Sequence, residues 1–470
     1  MNAVNGFLQD DYHATPSLLI ELGFRYEWNA SPTAGANKFV NFIPTADALE
    51  QVGTNGLGRS PYRQNNNYEP RVGFSYNVDG KSKTVIRGAY GLMADQPETN
   101  VVTGLATNAP FTNKVNYSSS AAPIPVASLF TSAAAAGLAI TAVDPNFRNA
   151  YTQDFNLNLQ QQTFDDIVFS IGYYGSVGRH LRDQVNLNQP GFSGVRQFQS
   201  LSSASPIDPG ANLSGANLPQ TTFSGQSNYN ALWITAQKNF RNSLEFNFNY
   251  ALSKSLDLGS LAGTYLQDYT RPRLNYGPSD FDTRHRVAAN AVYNLPFKGN
   301  RLVEGFRLTG IAQWQTGNPL NITDTVTSFS GLSGVNHPNL IAPVQYIKSK
   351  TSQTTVQWFT NSVCTQAATT AGCTFQVPTN GFGSLGRNAL IGPGFTDVDV
   401  SLEKNTKIYE NANLQLRLDA FDVANHANFS NPGTSATVGS ASFGTITQTR
   451  FPTGDSGSSR QLQVAAKIIF

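Results

Sequence analysis

The clearest alternation along the chain runs from residue 18 to residue 28. Leu18, Ile20, Leu22, Phe24, Tyr26 and Trp28 take one set of positions, and Glu21, Gly23, Arg25 and Glu27 take the other. Successive side chains of a β-strand point to opposite faces, so this segment reads as a strand with one apolar and one polar surface. The same pattern recurs down the chain. Val72, Phe74, Tyr76 and Val78 oppose Arg71, Gly73, Ser75 and Asn77, while Ile86, Tyr90 and Leu92 oppose Arg87 and Ala89. Phe155, Leu157 and Leu159 oppose Asp154, Asn156 and Asn158, and Leu244, Phe246, Phe248 and Tyr250 oppose Glu245, Asn247 and Asn249. Val398, Val400 and Leu402 face away from Asp397, Asp399 and Glu403, and Leu414, Leu416 and Leu418 from Gln415, Arg417 and Asp419. The chain closes with Leu462, Val464, Ala466, Ile468 and Phe470 against Gln461, Gln463 and Lys467.

Alternation alone also fits a soluble β-sandwich. Three features separate the two. These strands read as 9 to 13 residues long, whereas soluble strands average roughly 5–6 and tilted membrane strands need about 9–11. Aromatics gather at the ends of the apolar faces, at Tyr26, Trp28, Tyr90, Tyr250, Tyr293 and Phe470, as an interfacial girdle requires. The polar faces are rich in Asn, Gln, Ser and Gly, which suits a wet lumen. Lys238 breaks the apolar pattern, but it lies at a strand end where its stem can snorkel.

The connections sort by length in strict alternation. Short ones fall at 13–17, 79–83, 161–166, 239–243, 297–304 and 405–411, and long ones at 29–67, 94–149, 176–227, 257–283, 317–394 and 425–460. Soluble domains seldom carry loops past about 15 residues, while outer-membrane barrels pair tight periplasmic turns with long extracellular loops. The expected fold is therefore all-β, a transmembrane antiparallel up-and-down β-barrel of about thirteen strands. Thirteen is odd, and bacterial single-chain barrels use even numbers. With short turns on the periplasmic side, the first segment (4–12) and the last (461–470) both run inward. The expectation is that residues 1–470 form the C-terminal portion of a longer barrel.

Composition narrows the field further. Of 470 residues, 32 are Lys or Arg and 30 Asp or Glu, 13% in all, about half of the roughly 25% usual in soluble proteins. A net charge of +2 with no basic block gives no reason to expect a nucleic-acid partner. The longest apolar run, 133–143, falls well short of the roughly 18 residues of a membrane helix. Cys364 and Cys373 stand as C-x8-C without a nearby His or third Cys, which is poor metal spacing. A disulfide closing a small exposed loop is the better reading, and it implies an oxidising compartment. The opening residues lack the basic start and apolar core of a secretion signal, which again points to missing upstream chain.

Several stretches resemble a known family. Phe7-Leu-Gln-Asp-Asp-Tyr-His-Ala-Thr-Pro-Ser-Leu-Leu-Ile-Glu-Leu-Gly-Phe-Arg-Tyr-Glu27 and Tyr68-Glu-Pro-Arg-Val-Gly-Phe-Ser-Tyr76 are similar to barrel segments of TonB-dependent receptors. Tyr229-Asn-Ala-Leu-Trp-Ile-Thr-Ala-Gln-Lys238, Tyr250-Ala-Leu-Ser-Lys-Ser-Leu-Asp257, Asp280-Phe-Asp-Thr-Arg-His-Arg286 and Phe382-Gly-Ser-Leu-Gly-Arg-Asn388 resemble the Oar-like branch. The ending, Arg460 to Phe470, is similar to that family's final strand, whose terminal Phe serves the barrel-assembly machinery. Such barrels have about 22 strands, so this chain would supply the last thirteen, with plug domain and N-terminal strands absent. The resemblance implies an outer-membrane receptor and transporter in a Gram-negative-type cell. Its loops would bind a large, unspecified solute, and in the intact protein TonB-coupled energy would drive import. Partners implied are outer-membrane lipid, TonB through the missing plug, and the assembly machinery; no cofactor is implied. Alternatives are a plugless passive porin and a secreted β-rich adhesin.

The remaining motifs have plain readings. Gly381-Phe-Gly-Ser-Leu-Gly386 fits G-x-G-x-x-G but opens no helix after a βαβ strand, so a Gly-rich loop is expected. His13, His180, His285, His337 and His426 are scattered without ligand spacing. Asp280, Asp282, Arg284, His285 and Arg286 read as an ion-pair network at the barrel rim. Asp397 with Asp399, and Arg417 with Asp419, read as ordinary lumen charge neighbours, and no enzyme is expected. The residues singled out are Cys364 and Cys373 as a loop staple, Phe470 for assembly, and lumen-facing Arg25, Arg71, Arg87 and Arg417 to meet plug or solute.

Overall fold

The computed structural model describes residues 2–54, 58, 60–63, 65–96, 98–112, 138–163, 167–191, 193–325, 329–365, 372–379, 381–409, 411–450 and 459–470. Met1 and the first part of the apolar run, 133–137, lie outside the described residues. Thirteen strands follow one another as an antiparallel meander. They are β1 (Ala3–Thr15), β2 (Leu18–Asn29), β3 (Asn65–Asn77), β4 (Thr84–Ala94), β5 (Tyr151–Gln162), β6 (Ile167–Asn186) and β7 (Pro219–Arg241), then β8 (Leu244–Asp257), β9 (His285–Asn294), β10 (Phe306–Gln315), β11 (Phe395–Tyr409), β12 (Ala412–Phe421) and β13 (Gln461–Ile469). Each pairs with its sequence neighbours. β1 pairs along its length only with β2, and β13 only with β12, so among the described residues the sheet is open at both edges.

Register carries the alternation across the whole sheet, because directly opposed residues share a face. One row runs Ile20–Phe74–Gly88–Leu157–Tyr173–Leu232–Leu252. Another runs Tyr293–Leu308–Leu402–Leu418–Val464. On the opposite face Glu21, Gly73, Ala89, Asn156, Tyr174, Ala231 and Ser253 line up. The apolar rows are not packed on protein: Leu157 is 54% and Val464 80% exposed. Gly175 sits in this apolar surface where a Cβ would overlap the Phe155 ring, so the ring lies flat across the bare backbone.

β6 and β7 depart from the expected lengths, with 20 and 23 residues. β5 begins opposite Arg179, so the end of β6 beyond it pairs with β7 on one side and bridges through Gln184 to Tyr265 of a loop on the other. The two project past the rim into the space of the long loops, and the expected loop at 176–227 is accordingly shorter. No helix among the described residues is long and apolar enough to cross a membrane.

The dry core of this molecule is in the loops. One cluster gathers Val40, Phe42, Leu49, Leu201, Leu213 and Leu266, another Phe39, Val101, Leu105 and Phe147, and a third Ile322, Phe359, Phe375 and Phe443. In the third, Phe359, Phe375 and Phe443 contact one another edge to face, with ring centroids 5.2–6.2 Å apart. Irregular backbone inside such a core needs partners, and buried asparagines supply them. Asn188 Nδ2 donates to the carbonyls of Phe198 and Leu213, both at 3.0 Å, and its Oδ1 accepts from Phe198 N at 2.8 Å. Asn41 and Val143 exchange a similar pair of bonds at 2.7 and 3.0 Å.

The two faces should differ sharply in tolerance to charge. Leu402→Arg, in the middle of the lipid-facing row, should cost on the order of 2–4 kcal/mol, whereas Ser401→Arg, one residue away on the lumen face, should cost less than about 1 kcal/mol. Urea midpoints of the heat-modifiable folded band on gels check this; equal losses would count against the assignment of faces.

Candidate functional site

On the lumen face the four singled-out arginines lie on separate strands, and three of them pair within their own strand. Arg25 Nε donates to Glu27 Oε1 at 2.6 Å, Arg71 Nη2 to Glu69 Oε2 at 3.2 Å, and Arg417 Nε to Asp419 Oδ2 at 2.9 Å. Residues two apart share a strand face, which is why these neighbours meet. Arg87 Nη1 instead crosses to Gln160 Oε1 at 2.6 Å. Arg307 and Glu403, 3.7 Å apart on adjoining strands, add a pair of the same kind. Glu21, Arg71, Asp154 and Asn156 line a recess of about 300 Å³ on this wall. The wall also carries an aromatic pair that the polar reading of this face missed: Tyr174 and Trp233, with ring centroids 4.5 Å apart.

Three of the sequence motifs converge at the outer rim. Asp257 ends β8, and Gly277–Pro278 pairs back on it. Asp282 Oδ1 accepts from Ser255 N at 2.6 Å, and Ser255 and Ser279 join through their hydroxyls at 2.8 Å. Into this corner comes Arg387, 130 residues further on. Its Nη1 donates to Asp257 Oδ1 at 2.8 Å, its Nη2 reaches the same oxygen, and Nη2 also donates to Ser260 Oγ at 2.9 Å. Asn388 Nδ2 donates to Asp280 Oδ1 at 2.6 Å and to the Pro278 carbonyl at 2.7 Å. Arg387 and Asp257 are both buried. Of the expected ion-pair network only Asp280 takes part, 3.5 Å from Arg387 Nη2; Asp282 caps a backbone amide and His285 turns to Tyr250, and the arginine that pairs here comes from the Gly-rich motif. Gly383 of that motif passes so close to the His337 carbonyl that a Cβ would overlap it, so this loop is packed against backbone rather than opening a helix.

Asp183 lies beside this clamp, on the part of β6 that projects beyond the rim, and accepts from Ser224 Oγ at 3.0 Å. Burial pushes its carboxyl up from the ordinary 3.8 to about 7; the Ser224 bond and Arg387 oppose the rise, and the Asp257 charge adds to it.

Cys364 and Cys373 are free thiols in this structure. Cys364 is buried and its Sγ donates to the Phe375 carbonyl at 3.6 Å. Burial, then the adjoining Cys373 thiol, pushes it up to about 11. The histidines stay apart. His285 Nδ1 meets Tyr250 Oη at 2.8 Å within the outer aromatic belt, and the buried His337 Nδ1 meets the Ile322 carbonyl at 2.8 Å. Asp399 Oδ1 accepts from Asp422 N at 2.9 Å, a fold-holding bond. Among the described residues no group of His, Cys, Asp or Glu is arranged to hold a metal ion. Phe470 follows β13 at the open edge and is almost fully exposed.

The family model for the outer membrane beta barrel domain matches residues 1–463. No curated protein matches the chain. Solved structures similar to it include the siderophore receptor PiuA from Acinetobacter baumannii, at 9% identity and a TM-score of 0.45 over 99% of this chain and 43% of that one. The outer membrane transporter YddB from Escherichia coli shares 10% identity, with a TM-score of 0.47 over 99% of this chain and 54% of that one. The ferripyoverdine receptor of the outer membrane of Pseudomonas aeruginosa, bound to ferripyoverdine, shares 9% with a TM-score of 0.45, over 99% and 38%. This chain thus spans between 38% and 54% of the length of these three.

The Asp183 carboxyl gives the rim clamp a pH dependence of definite sign. Between 3.8 and about 7 the folded state holds a proton that the unfolded chain releases, so the Asp183 contribution to stability falls as pH rises through that window and is level above it. His180 and His337, pushed below 6.5 chiefly by burial, act in the opposite sense at lower pH, but they are common to wild type and variant. Asp183→Asn should therefore match wild type in trypsin resistance of the loops near pH ~4 and exceed it near pH ~8. A difference of the same size at both pH values would refute the assignment.

Proposed function

This chain belongs to the outer membrane beta barrel domain family, and from that premise we propose that it is the C-terminal part of a TonB-dependent, Oar-like receptor barrel. Its loops take up a large solute from outside the cell, and in the intact protein TonB-coupled energy, acting through a plug, moves that solute inward. The observation that carries the reading is the direction of the two open edges. β1 and β13, first and last of thirteen antiparallel strands, run the same way, toward the side of the short turns. Closing an antiparallel sheet between them needs strands that run outward at both ends, which is an odd number. A second copy in the same orientation would offer an inward-running edge and make a parallel seam. About nine strands arising from a periplasmic plug satisfy the requirement and bring the total to about 22. The motif resemblance supports the same assignment.

The lumen wall fits a transit path. Its arginines are mostly neutralised by adjacent carboxylates, so a plug or a solute meets a hydrated surface rather than a block of one charge. Arg25, Arg71, Arg87 and Arg417 are the residues proposed to meet it, and Phe470 is proposed as the contact for barrel assembly. The loop core makes the outer face a folded surface of fixed shape, as a receptor needs. No covalent chemistry is assigned to the chain. In the oxidising periplasm the adjoining Cys364 and Cys373 thiols are proposed to join as a disulfide that staples their loop.

Two measurements test this. The purified chain in planar bilayers should give no uniform unitary conductance, because a sheet with two unpaired edges does not close one defined pore; uniform steps would favour a plugless porin. Thiol titration of protein isolated from the envelope should find neither cysteine free until a reductant is added. Two reactive thiols without reductant would remove the staple.

A further inference from the structure

Among the loops lies a cavity of about 810 Å³, bounded by the chain around Lys350–Val356, 427–430 and 446–450. That is the size range of pockets that hold drug-sized solutes, roughly 300–1,000 Å³. Among the described residues its lining is one-sided in charge: Lys350 and Arg450 are present and no carboxylate is. Hydroxyl and amide side chains such as Thr355, Ser430 and Gln448 make up most of the remaining polar surface.

Arg450 is unlike the other enclosed arginines. Arg387 is satisfied by Asp257 and Ser260, and Arg196 by backbone carbonyls and Asn217. The Arg450 backbone is tied down, its N–H donating to the Asn428 carbonyl at 2.8 Å. Its guanidinium rests over the Phe395 ring at 5.0 Å from the centroid. Yet Nε and Nη2 are buried from solvent and have no hydrogen-bond partner among the described residues. An enclosed cation with unused donors is costly unless an acceptor is supplied. The aromatic face holds the planar group in place, and its Nε–Nη2 edge, shielded from solvent here, meets a ligand once the chain over it shifts. A guanidinium edge matches the two oxygens of a carboxylate or a phosphate.

We propose that this cavity binds an organic oxyanion, a carboxylate- or phosphate-bearing solute, with Arg450 as its bidentate anchor and Lys350 as a second, solvent-side attraction. The site stands on the cavity and on Arg450, and it holds whether or not the chain belongs to an energised importer.

Isothermal titration of the full chain in detergent micelles, with succinate and with inorganic phosphate as separate probes, tests it. At least one probe should bind, and which one identifies the oxyanion class. Arg450→Gln should weaken that probe on the order of 10- to 100-fold. Arg450→Lys, which keeps the charge but loses the fork, should recover only part of the affinity. Lys350→Ala, at an exposed position, should weaken binding by roughly 3-fold and flatten its salt dependence. The heat-modifiable gel band verifies that each variant is folded. If Arg450→Gln does not fold, Lys350→Ala and the wild-type salt series carry the test. The proposal is overturned if neither probe binds at millimolar concentration, if folded Arg450→Gln binds as wild type does, or if affinity is indifferent to both Lys350→Ala and salt.

Discussion

Inside hydrocarbon a backbone amide has no water to turn to, and each unpaired group there costs several kcal/mol. Every interior strand of this sheet answers that constraint by bonding to its two sequence neighbours. The meander order, the short turns on one side and the fixed register all follow. Once register is fixed, a side chain's face is fixed with it, since a slip of one residue would carry Leu402 and Leu418 to the lumen and Glu403 and Arg417 to the lipid. The same constraint makes the edges of β1 and β13 the least satisfied features of the molecule. They are what any closed form of the barrel must cover.

A sheet built this way has little core of its own. Its apolar rows face outward and its other face is polar, so side-chain packing against protein must be found elsewhere, and it is found in the loops. That reverses the usual arrangement in which a packed scaffold carries mobile connections. Here the lipid-facing scaffold holds itself by backbone bonds, while Phe42, Phe359, Phe443 and their neighbours form dry clusters outside the membrane. The Arg387–Asp257 pair joins the two regimes at the rim. Replacing a buried pair by apolar residues is often neutral, whereas removing one member strands a charge. Its value therefore lies in fixing where the loop bearing Arg387 meets the end of β8, more than in net stability.

What the sequence disclosed divides along the same line. The strands were legible because a period of two is a local property: residues 20–28 display it in nine consecutive positions, and β2 spans them. The alternation of short and long connections was legible for the same reason. The outer parts of β6 and β7 were not, because there both faces are covered by loops and the chain need not alternate. Arg387 could not be matched to Asp257 across 130 residues by pattern alone, although both motifs stood out. A glycine run beside an arginine was the available signal, and its meaning depended on a backbone approach, Gly383 to His337, that only the folded loops reveal. Arg450 carried no signal at all, since an arginine is marked as unusual only by the acceptors it lacks.

Charge in this molecule is sorted by what answers it. Along the lumen, Arg25, Arg71 and Arg417 each have a carboxylate two residues away on the same face. In these pairs the arginines are part-exposed, while Glu69 and Asp419 are buried. The effect of the pairs is to make the wall a series of short dipoles whose fields fade within a few ångströms of water. An anion moving beside such a wall gains little at any one point and is released as readily as it is held. Among the described residues Arg450 has no carboxylate to cancel it, and burial pushes its guanidinium below its ordinary value, a sign that the charged form is poorly solvated there. Attraction unspent on the protein itself is therefore concentrated in the loops and absent from most of the wall. The proposed receptor role, capture of a dilute solute outside followed by its passage, needs that distribution, because affinity placed along the path would retain the solute just admitted.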